Sequence, residues 1–192
     1  MRISGGTAKG RRTASQRLLT KTSTGERLRP TSSKVREALF DIIRDRIEGV
    51  SFVDLYAGTG TTGLEALSRG GGKAIFVEPN ELWIKTIKRN IYEFGFREKA
   101  LVFKGRACEF LEKASAEKES FDIFFIDPPY QSEEIRKVIP LIGEKGLLSE
   151  NGVVIVEHFF KKKIPETAGT LKRHKSYRYG DTMLTLYRKV SP

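Results

Sequence analysis

The sequence predicts an α/β domain on a doubly wound, seven-stranded, mostly parallel sheet that closes in a terminal antiparallel hairpin, preceded by a basic N-terminal extension. Three observations carry this expectation. From about residue 51, short β-rich runs alternate with stretches of helical period, the order expected of a parallel sheet wound with helices. The runs are apolar nearly throughout, as in Ile123-Phe124-Phe125-Ile126, which suits strands covered on both faces. The chain then ends on Tyr177-Arg178-Tyr179, a Gly180-Asp181 turn and Met183-Leu184-Thr185-Leu186-Tyr187, the pattern of an antiparallel hairpin at one sheet edge.

The elements follow in order. Residues 1–29 are polar and basic, with no acid before Glu26, and read as an arm holding short strands at most. Pro30 with the hydroxyls of Thr31, Ser32 and Ser33 makes a helix start. Val35, Leu39, Ile42, Ile43 and Ile47 follow at helical spacing, and the polar side of that helix is expected to carry Lys34, Arg36 and Arg44. Five strands are expected at 52–56, 74–77, 101–103, 121–126 and 153–156, and the hairpin supplies two more. Between them, Ile84, Ile87 and Ile91 mark the clearest helix; they and Trp83 are expected in the core. The expected division is an extension with its helix at 1–46 and a main domain at 47–192.

Composition narrows the function classes. The 192 residues contain one cysteine, Cys108, and two histidines, too few for a disulfide or for a metal-ligand spacing, and no metal is expected. The start Met1-Arg2-Ile3-Ser4-Gly5-Gly6 lacks an apolar signal core and no apolar run reaches the length of a membrane span, so a cytosolic location without membrane contact is expected. The net charge of +11 is unevenly placed: residues 1–46 carry +8, residues 161–192 carry +7, and the middle carries −4. A slightly acidic body with basic ends points to a polyanionic partner gripped by the ends, among them Lys9, Arg11, Arg12 and Arg29.

Two motifs carry chemistry. Asp54-Leu55-Tyr56-Ala57-Gly58-Thr59-Gly60-Thr61-Thr62-Gly63 lies between an expected strand and an expected helix, and Gly58, Gly60 and Gly63 fit G-x-G-x-x-G, a turn that lets backbone approach a nucleotide-like ligand. Glu78 closes the next strand 20 positions after Gly58, where an acid can accept from ribose hydroxyls. A dinucleotide pyrophosphate would be repelled by a carboxylate at Asp54, whereas the ammonium and sulfonium of S-adenosylmethionine would be attracted, so the loop favours that methyl donor. A plain loop-capping role for Asp54 through backbone N–H groups stays open.

The second motif, Asp127-Pro128-Pro129-Tyr130, ends an apolar strand and opens onto the same carboxyl rim. Two prolines restrict the turn, leaving the Asp127 side chain and neighbouring carbonyls as acceptors. An exocyclic base amine is a poor nucleophile because its lone pair is delocalised into the ring; accepting its protons turns that lone pair toward an incoming methyl, while Tyr130 offers a face for an extruded base.

On these residues the chain resembles the ribosomal RNA small subunit methyltransferase D family. The resemblance runs through Arg2-Ile3-Ser4-Gly5-Gly6, Lys9-Gly10-Arg11, Arg29-Pro30-Thr31-Ser32, Val35-Arg36-Glu37-Ala38-Leu39-Phe40, Gly63-Leu64-Glu65-Ala66-Leu67-Ser68-Arg69-Gly70 and Asp127-Pro128-Pro129-Tyr130; Ser33 and Asp41-Ile42 depart from the pattern. It implies a class I S-adenosylmethionine-dependent methyltransferase of Rossmann-like fold that methylates the N2 amino group of a guanine in 16S rRNA, the family target being guanine 966. It implies that Asp127, Pro128, Pro129 and Tyr130 form the acceptor site. Cofactor contacts would come from Asp54, Tyr56, Ala57, Gly58, Thr59, Gly60, Gly63, Glu78, Pro79 and Asp127, with Arg106 and Ala107 at the adenine. RNA contacts would come from Lys9, Arg11, Arg12, Arg29, Thr31, Lys34 and Arg36. The implied partner is 16S rRNA in an assembled or partly assembled small ribosomal subunit, with a monomer as the default state.

Other residues are read as structural. Cys108 is expected to be a small, partly buried side chain, His158 a structural group, and His174 and the run Lys161-Lys162-Lys163 solvated, with phosphate contact as a second option for His174 and the lysines. Adenine-N6 methylation of DNA and a non-catalytic RNA-binding assembly role remain as alternatives to the guanine reading, and a nicotinamide dehydrogenase is disfavoured by Asp54 and the Asp-Pro-Pro-Tyr turn.

Overall fold

A computed structural model gives the fold, and it describes residues 1–14, 32–129 and 132–190. Helix α1 (Ser33–Ile42) starts at Ser32, whose hydroxyl accepts from Val35 N–H at 3.2 Å, the side-chain cap expected there. Strand and helix then alternate: β1 (Ser51–Asp54), α2 (Thr61–Ser68), β2 (Lys73–Glu78), α3 (Glu81–Phe94), β3 (Ala100–Lys104), α4 (Ala107–Ala116), β4 (Phe121–Ile126), α5 (Glu134–Glu144) and β5 (Leu148–Phe159). Three antiparallel strands close the chain: β6 (Thr167–Ala168), β7 (Leu171–Tyr179) and β8 (Thr182–Lys189).

The sheet has eight strands in the order β3-β2-β1-β4-β5-β8-β7-β6. Seven were expected, and the additional one is β6, a two-residue strand too short to carry a period. β3, β2, β1, β4 and β5 are parallel, so their carboxyl ends share one rim, and the order reverses between β1 and β4, the place where α/β sheets open a crevice for a ligand.

Alternation along the strands sorts side chains onto two covered faces. Val53, Ile75, Val77, Phe124, Ile126, Val154 and Val156 pack against Phe110 and Leu111 of α4 and Ile135, Val138, Ile139 and Ile142 of α5. Their sequence neighbours point the other way: Phe52, Ile123, Phe125, Val153 and Ile155 meet Val35, Leu39, Phe40 and Ile43 of the α1 segment. Ala74 and Phe76 meet Leu64, Leu67, Ile87 and Ile91 of α2 and α3. This is the doubly wound arrangement the apolar strands imply, with Trp83 buried on α3 as expected.

Residues 1–14 join this body. Arg2 and Arg12 form an antiparallel bridge, Ile3 and Ala8 are buried in the α2–α3 cluster, and Thr7 N–H donates to the Ser68 carbonyl at 2.7 Å. Ala14 N–H reaches Asn90 Oδ1 at 2.9 Å. The first residues of the 1–46 extension thus share a core with the 47–192 domain.

One expectation is corrected. Arg36 does not lie on the polar side of α1 with Lys34 and Arg44; it is 1% exposed. One turn before Leu39 and Phe40, it occupies the inward face of the helix, where its Nε pairs with Glu65 at 2.8 Å and its Nη2 donates to the Arg2 carbonyl at 2.7 Å.

Candidate active site

The carboxyl ends of β1, β2 and β4 bring the two motifs to one place. Asp54 ends β1, and beyond it the chain is laced to both neighbouring strands: Leu55 N–H donates to the Phe125 carbonyl at 3.0 Å and Ala57 N–H to Val77 at 3.1 Å. The loop then turns over Gly58 and Gly60, both at positive φ of +50° and +73°, and enters α2.

The glycines do different work. A side chain at Gly63 would lie 2.4 Å from the Phe76 ring, so its absence allows α2 to pack on β2. At Gly58 nothing lies within 4 Å of where a Cβ would stand, which leaves the backbone open toward the rim.

Glu78 organises the loop from β2. Its Oε2 accepts from Gly58 N–H and its Oε1 from Asn80 N–H, each at 2.8 Å, while burial pushes its pKa up. Asp54 is 2% exposed and accepts from Gly63 N–H at 3.2 Å. Burial pushes its pKa up to about 7, helped by the nearby carboxylates of Asp127 and Glu78 and opposed by that N–H bond. Asp54 does cap the loop, the plain role left open by the sequence, and its charge is also opposed by the carboxylates of Asp127 and Glu78. Such a site favours a cation in front of it.

The remaining expected cofactor residues line the same rim. Tyr56 is half-buried and its hydroxyl donates to Glu134 Oε2 at 3.3 Å, burial raising its pKa; Ala57 is buried, and the Thr59 and Thr61 hydroxyls are 2.9 Å apart. Pro79 is exposed beside Glu78. Gly105 N–H donates to the Glu78 carbonyl at 3.3 Å, which draws the Gly105-Arg106 turn to the Glu78 side. Arg106 is exposed, its N–H bonded to Glu109 Oε2 at 2.8 Å, whereas the Ala107 side chain is 2% exposed and opens α4.

Asp127 follows β4 and is half-buried, with Pro128 buried and Pro129 exposed. The Pro129 carbonyl accepts from Ser132 N–H at 2.9 Å, tightening the turn. Tyr130 lies outside the described residues, as do Arg29 and Thr31. Of the other basic residues expected at RNA, Lys9, Arg11, Arg12 and Lys34 are exposed. Arg11 is held on α3, its guanidinium 4.3 Å from the Phe94 ring centroid and its Nη2 2.5 Å from the Glu93 carbonyl.

The residues read as structural behave so. His158 is buried with both ring nitrogens bonded, to the Phe159 carbonyl and Thr185 Oγ1, each at 2.9 Å, and burial lowers its pKa. Cys108 is half-buried, with burial raising its pKa, and His174 is exposed. Among the described residues no group of three His, Cys, Asp or Glu side chains is placed to hold a metal ion, and no helix is long and apolar enough to cross a membrane.

Sequence reasoning missed Glu134, the partner of Tyr56, which is one charge among many in a polar segment. Lys162, expected to be solvated with its neighbours, is instead 13% exposed, because its ammonium turns back to bond the Ser132 carbonyl just past the Asp-Pro-Pro turn.

A family described as conserved hypothetical protein 95 matches residues 1–188. The Bacillus subtilis protein named "Putative rRNA methyltransferase YlbH" is 35% identical over 189 residues, 98% of this chain and 99% of the relative. The ribosomal RNA small subunit methyltransferase D of Buchnera aphidicola subsp. Acyrthosiphon pisum is 31% identical over 137 residues, 71% of this chain and 70% of the relative. Among solved structures, the Escherichia coli protein titled "Putative methyltransferase yhhF" superposes with a TM-score of 0.80 at 28% identity, covering 100% of this chain and 99% of that one. The carboxylate-rimmed glycine loop and the Asp-Pro-Pro turn therefore sit in a member of the conserved hypothetical protein 95 family, the family of ribosomal RNA small subunit methyltransferase D.

Proposed function

We propose that this protein transfers the methyl group of S-adenosylmethionine to the exocyclic N2 amino group of a guanine in 16S rRNA, guanine 966 in the family's usual target. The observation that carries the reading is the convergence of Asp54, Glu78 and Asp127 around an open glycine loop, with Asp127 set on two rigid prolines.

The residues present fit the cofactor. S-adenosylmethionine supplies an electrophilic methyl group on a sulfonium, beside a cationic ammonium. Asp54 and Asp127 offer negative charge to those cations, the open backbone at Gly58 leaves room for close approach, and the Glu78 carboxylate is held in place to accept from ribose hydroxyls. The exposed Arg106 and the start of α4 border the space next to Glu78, where the adenine would lie.

On the acceptor side, Asp127 and the Pro128 carbonyl would accept hydrogen bonds from the amino group and hold its lone pair toward the donor, so that the N–C bond forms as the S–C bond breaks, S-adenosylhomocysteine leaves as a neutral thioether and the amine proton goes to solvent or through Asp127. Tyr130 is assigned the stacking face for the extruded base. The exposed cations Lys9, Arg11, Arg12 and Lys34 contact RNA phosphate, with Arg29 and Thr31 assigned alongside them. Arg36 acts from below, holding α1 to α2 rather than touching RNA. The substrate is 16S rRNA in an assembled or partly assembled small subunit, the protein acts as a monomer in the cytosol, and residues 1–46 form the RNA-contacting part.

Incubation with methyl-labelled donor and, in parallel, small ribosomal subunits or duplex DNA tests this: label in a guanine of 16S rRNA is expected. Label only in duplex DNA, or RNA binding without transfer by cofactor-loaded protein, would replace it with an adenine methyltransferase or an assembly factor.

A further inference from the structure

We infer that Arg178, stacked on Phe160 at the carboxyl end of β5, forms with Lys161 a second RNA contact beside the acceptor turn, one that receives an unpaired nucleotide flanking the target base. The inference rests on the reading of the protein as an RNA methyltransferase and extends its RNA-binding surface from the N-terminal segment to the opposite end of the chain.

β5 runs parallel to β4, so Phe159 and the Phe160-Lys161-Lys162 loop emerge on the rim where β4 delivers Asp127. The two loops are joined: the Lys162 ammonium bonds the Ser132 carbonyl and lies 4.0 Å from Glu133, and Ser132 N–H donates to the Pro129 carbonyl at 2.9 Å. Two hydrogen bonds thus link Lys162 to the acceptor turn.

The geometry of Arg178 is that of a prepared stacking surface. Its guanidinium carbon stands 3.9 Å from the Phe160 ring centroid, and its Nε donates to the Gly180 carbonyl at 2.9 Å, which fixes the plane. The Phe160 ring is itself held, by an edge-on contact with Phe159 at 4.8 Å between centroids and by its own N–H bonded to the Asp181 carbonyl at 2.9 Å.

The rest of the group is unengaged. Arg178 is exposed, and among the described residues its Nη1 and Nη2 have no hydrogen-bond partner and its charge no carboxylate within ion-pair distance. An oriented guanidinium plane with donors at its edge is suited to stacking on a base while bonding a phosphate or base edge.

Charge agrees with geometry. Lys161 is exposed with its ammonium 5.5 Å from the same ring, and Lys163 is exposed next to it; among the described residues neither forms an ion pair. Within residues 161–192 the acids are Glu166 and Asp181, and Glu166 is taken up by Arg173 at 3.0 Å, while Glu133 across the rim lies 4.0 Å from Lys162. Cations and an aromatic interleaved beside a site that acts on an extruded base meet the needs of a single-stranded polyanion, whose bases stack and whose phosphates are neutralised.

The test uses the full-length protein and deproteinised 16S rRNA as the probe, with affinity measured against salt and S-adenosylmethionine affinity measured in parallel as a check on the fold. Arg178→Ala is expected to weaken RNA binding about tenfold, within the range for loss of one base stack. Arg178→Lys, which keeps the charge, should recover the salt slope without recovering the affinity, and Lys161→Ala should lower the slope by about one. Cofactor affinity should hold in all three. A wild-type protein that methylates RNA, with Arg178→Ala matching it in affinity and slope, overturns this inference alone; full rescue by Arg178→Lys overturns the stacking role and leaves only charge. A wild-type protein that transfers no methyl group to 16S rRNA in small ribosomal subunits overturns the reading on which the inference rests.

Discussion

Arg36 and Glu65 are paired in the protein interior, Nε to Oε2 at 2.8 Å, with side chains 1% and 0% exposed. Glu65 is shared: its other oxygen accepts from Arg69 Nε and Nη2 at 3.0 and 2.8 Å and from the Ser4 hydroxyl. One carboxylate therefore joins α1, α2 and the first residues of the chain. Removing one partner of a buried pair strands the other charge, so Glu65→Ala should cost about 3–5 kcal/mol of stability, read as a lowered urea midpoint. Replacing Arg36 and Glu65 together by Met and Leu should cost much less than Glu65→Ala alone.

The two glycine roles are separable. Gly63→Ala drives a Cβ into the Phe76 ring at 2.4 Å and should destabilise the fold by about 1–3 kcal/mol while weakening cofactor binding through a shifted α2. Gly58→Ala meets nothing within 4 Å, carries only the strain of its positive φ, about 1 kcal/mol, and should weaken cofactor binding by more than its loss of stability. Thermal melts beside calorimetric titration with S-adenosylmethionine distinguish them.

Asp54 makes binding proton-linked. Its carboxyl is pushed up to about 7 from an ordinary 3.8, chiefly by burial, so between those values the folded chain keeps a proton that the unfolded chain has released. Stability of the cofactor-free protein should fall as pH rises through that window and level off above it. A bound cation favours the ionised form, so S-adenosylmethionine should displace protons near pH 6 and almost none near pH 9, roughly the two sides of that titration. Calorimetry in buffers of different ionisation enthalpy reads the release, and Asp54→Asn should remove most of it.

Lys9 and Arg12 are exposed on the docked N-terminal segment. The double change Lys9→Ala, Arg12→Ala should reduce the slope of log affinity for rRNA against log salt by about one to two and leave the melting temperature nearly unchanged. Arg11→Ala should also lower the melting temperature slightly, because Arg11 packs on Phe94.

What the sequence conveyed depended on whether one residue's surroundings could be inferred from its neighbours. β4 falls at 121–126 as expected because Phe121-Asp122-Ile123-Phe124-Phe125-Ile126 is apolar almost throughout. β5 begins at Leu148, earlier than expected, because its first residues, Ser149, Glu150 and Asn151, are polar and its pairing with β4 is interrupted by a register shift. Arg36 was misplaced because a helical pattern assigns charge outward; its inward spacing with Leu39 and Phe40, together with a lone acid amid the apolar residues of α2, was the available sign of a buried pair. The rim residues were legible because glycine spacing and Asp-Pro-Pro constrain backbone directly. The Phe160–Arg178 stack was not, since it joins a loop to a hairpin that only the antiparallel pairing of β5, β8 and β7 brings together.

The most direct measurement is to map the methyl group. Small ribosomal subunits lacking the modification are incubated with labelled S-adenosylmethionine and the protein, the RNA is digested to nucleosides, and the labelled species is identified by mass. The account predicts N2-methylguanosine from a single 16S rRNA site, and no label with Asp127→Ala although that variant keeps its affinity for RNA. Label on an adenine, or near-normal transfer by Asp127→Ala, would contradict it.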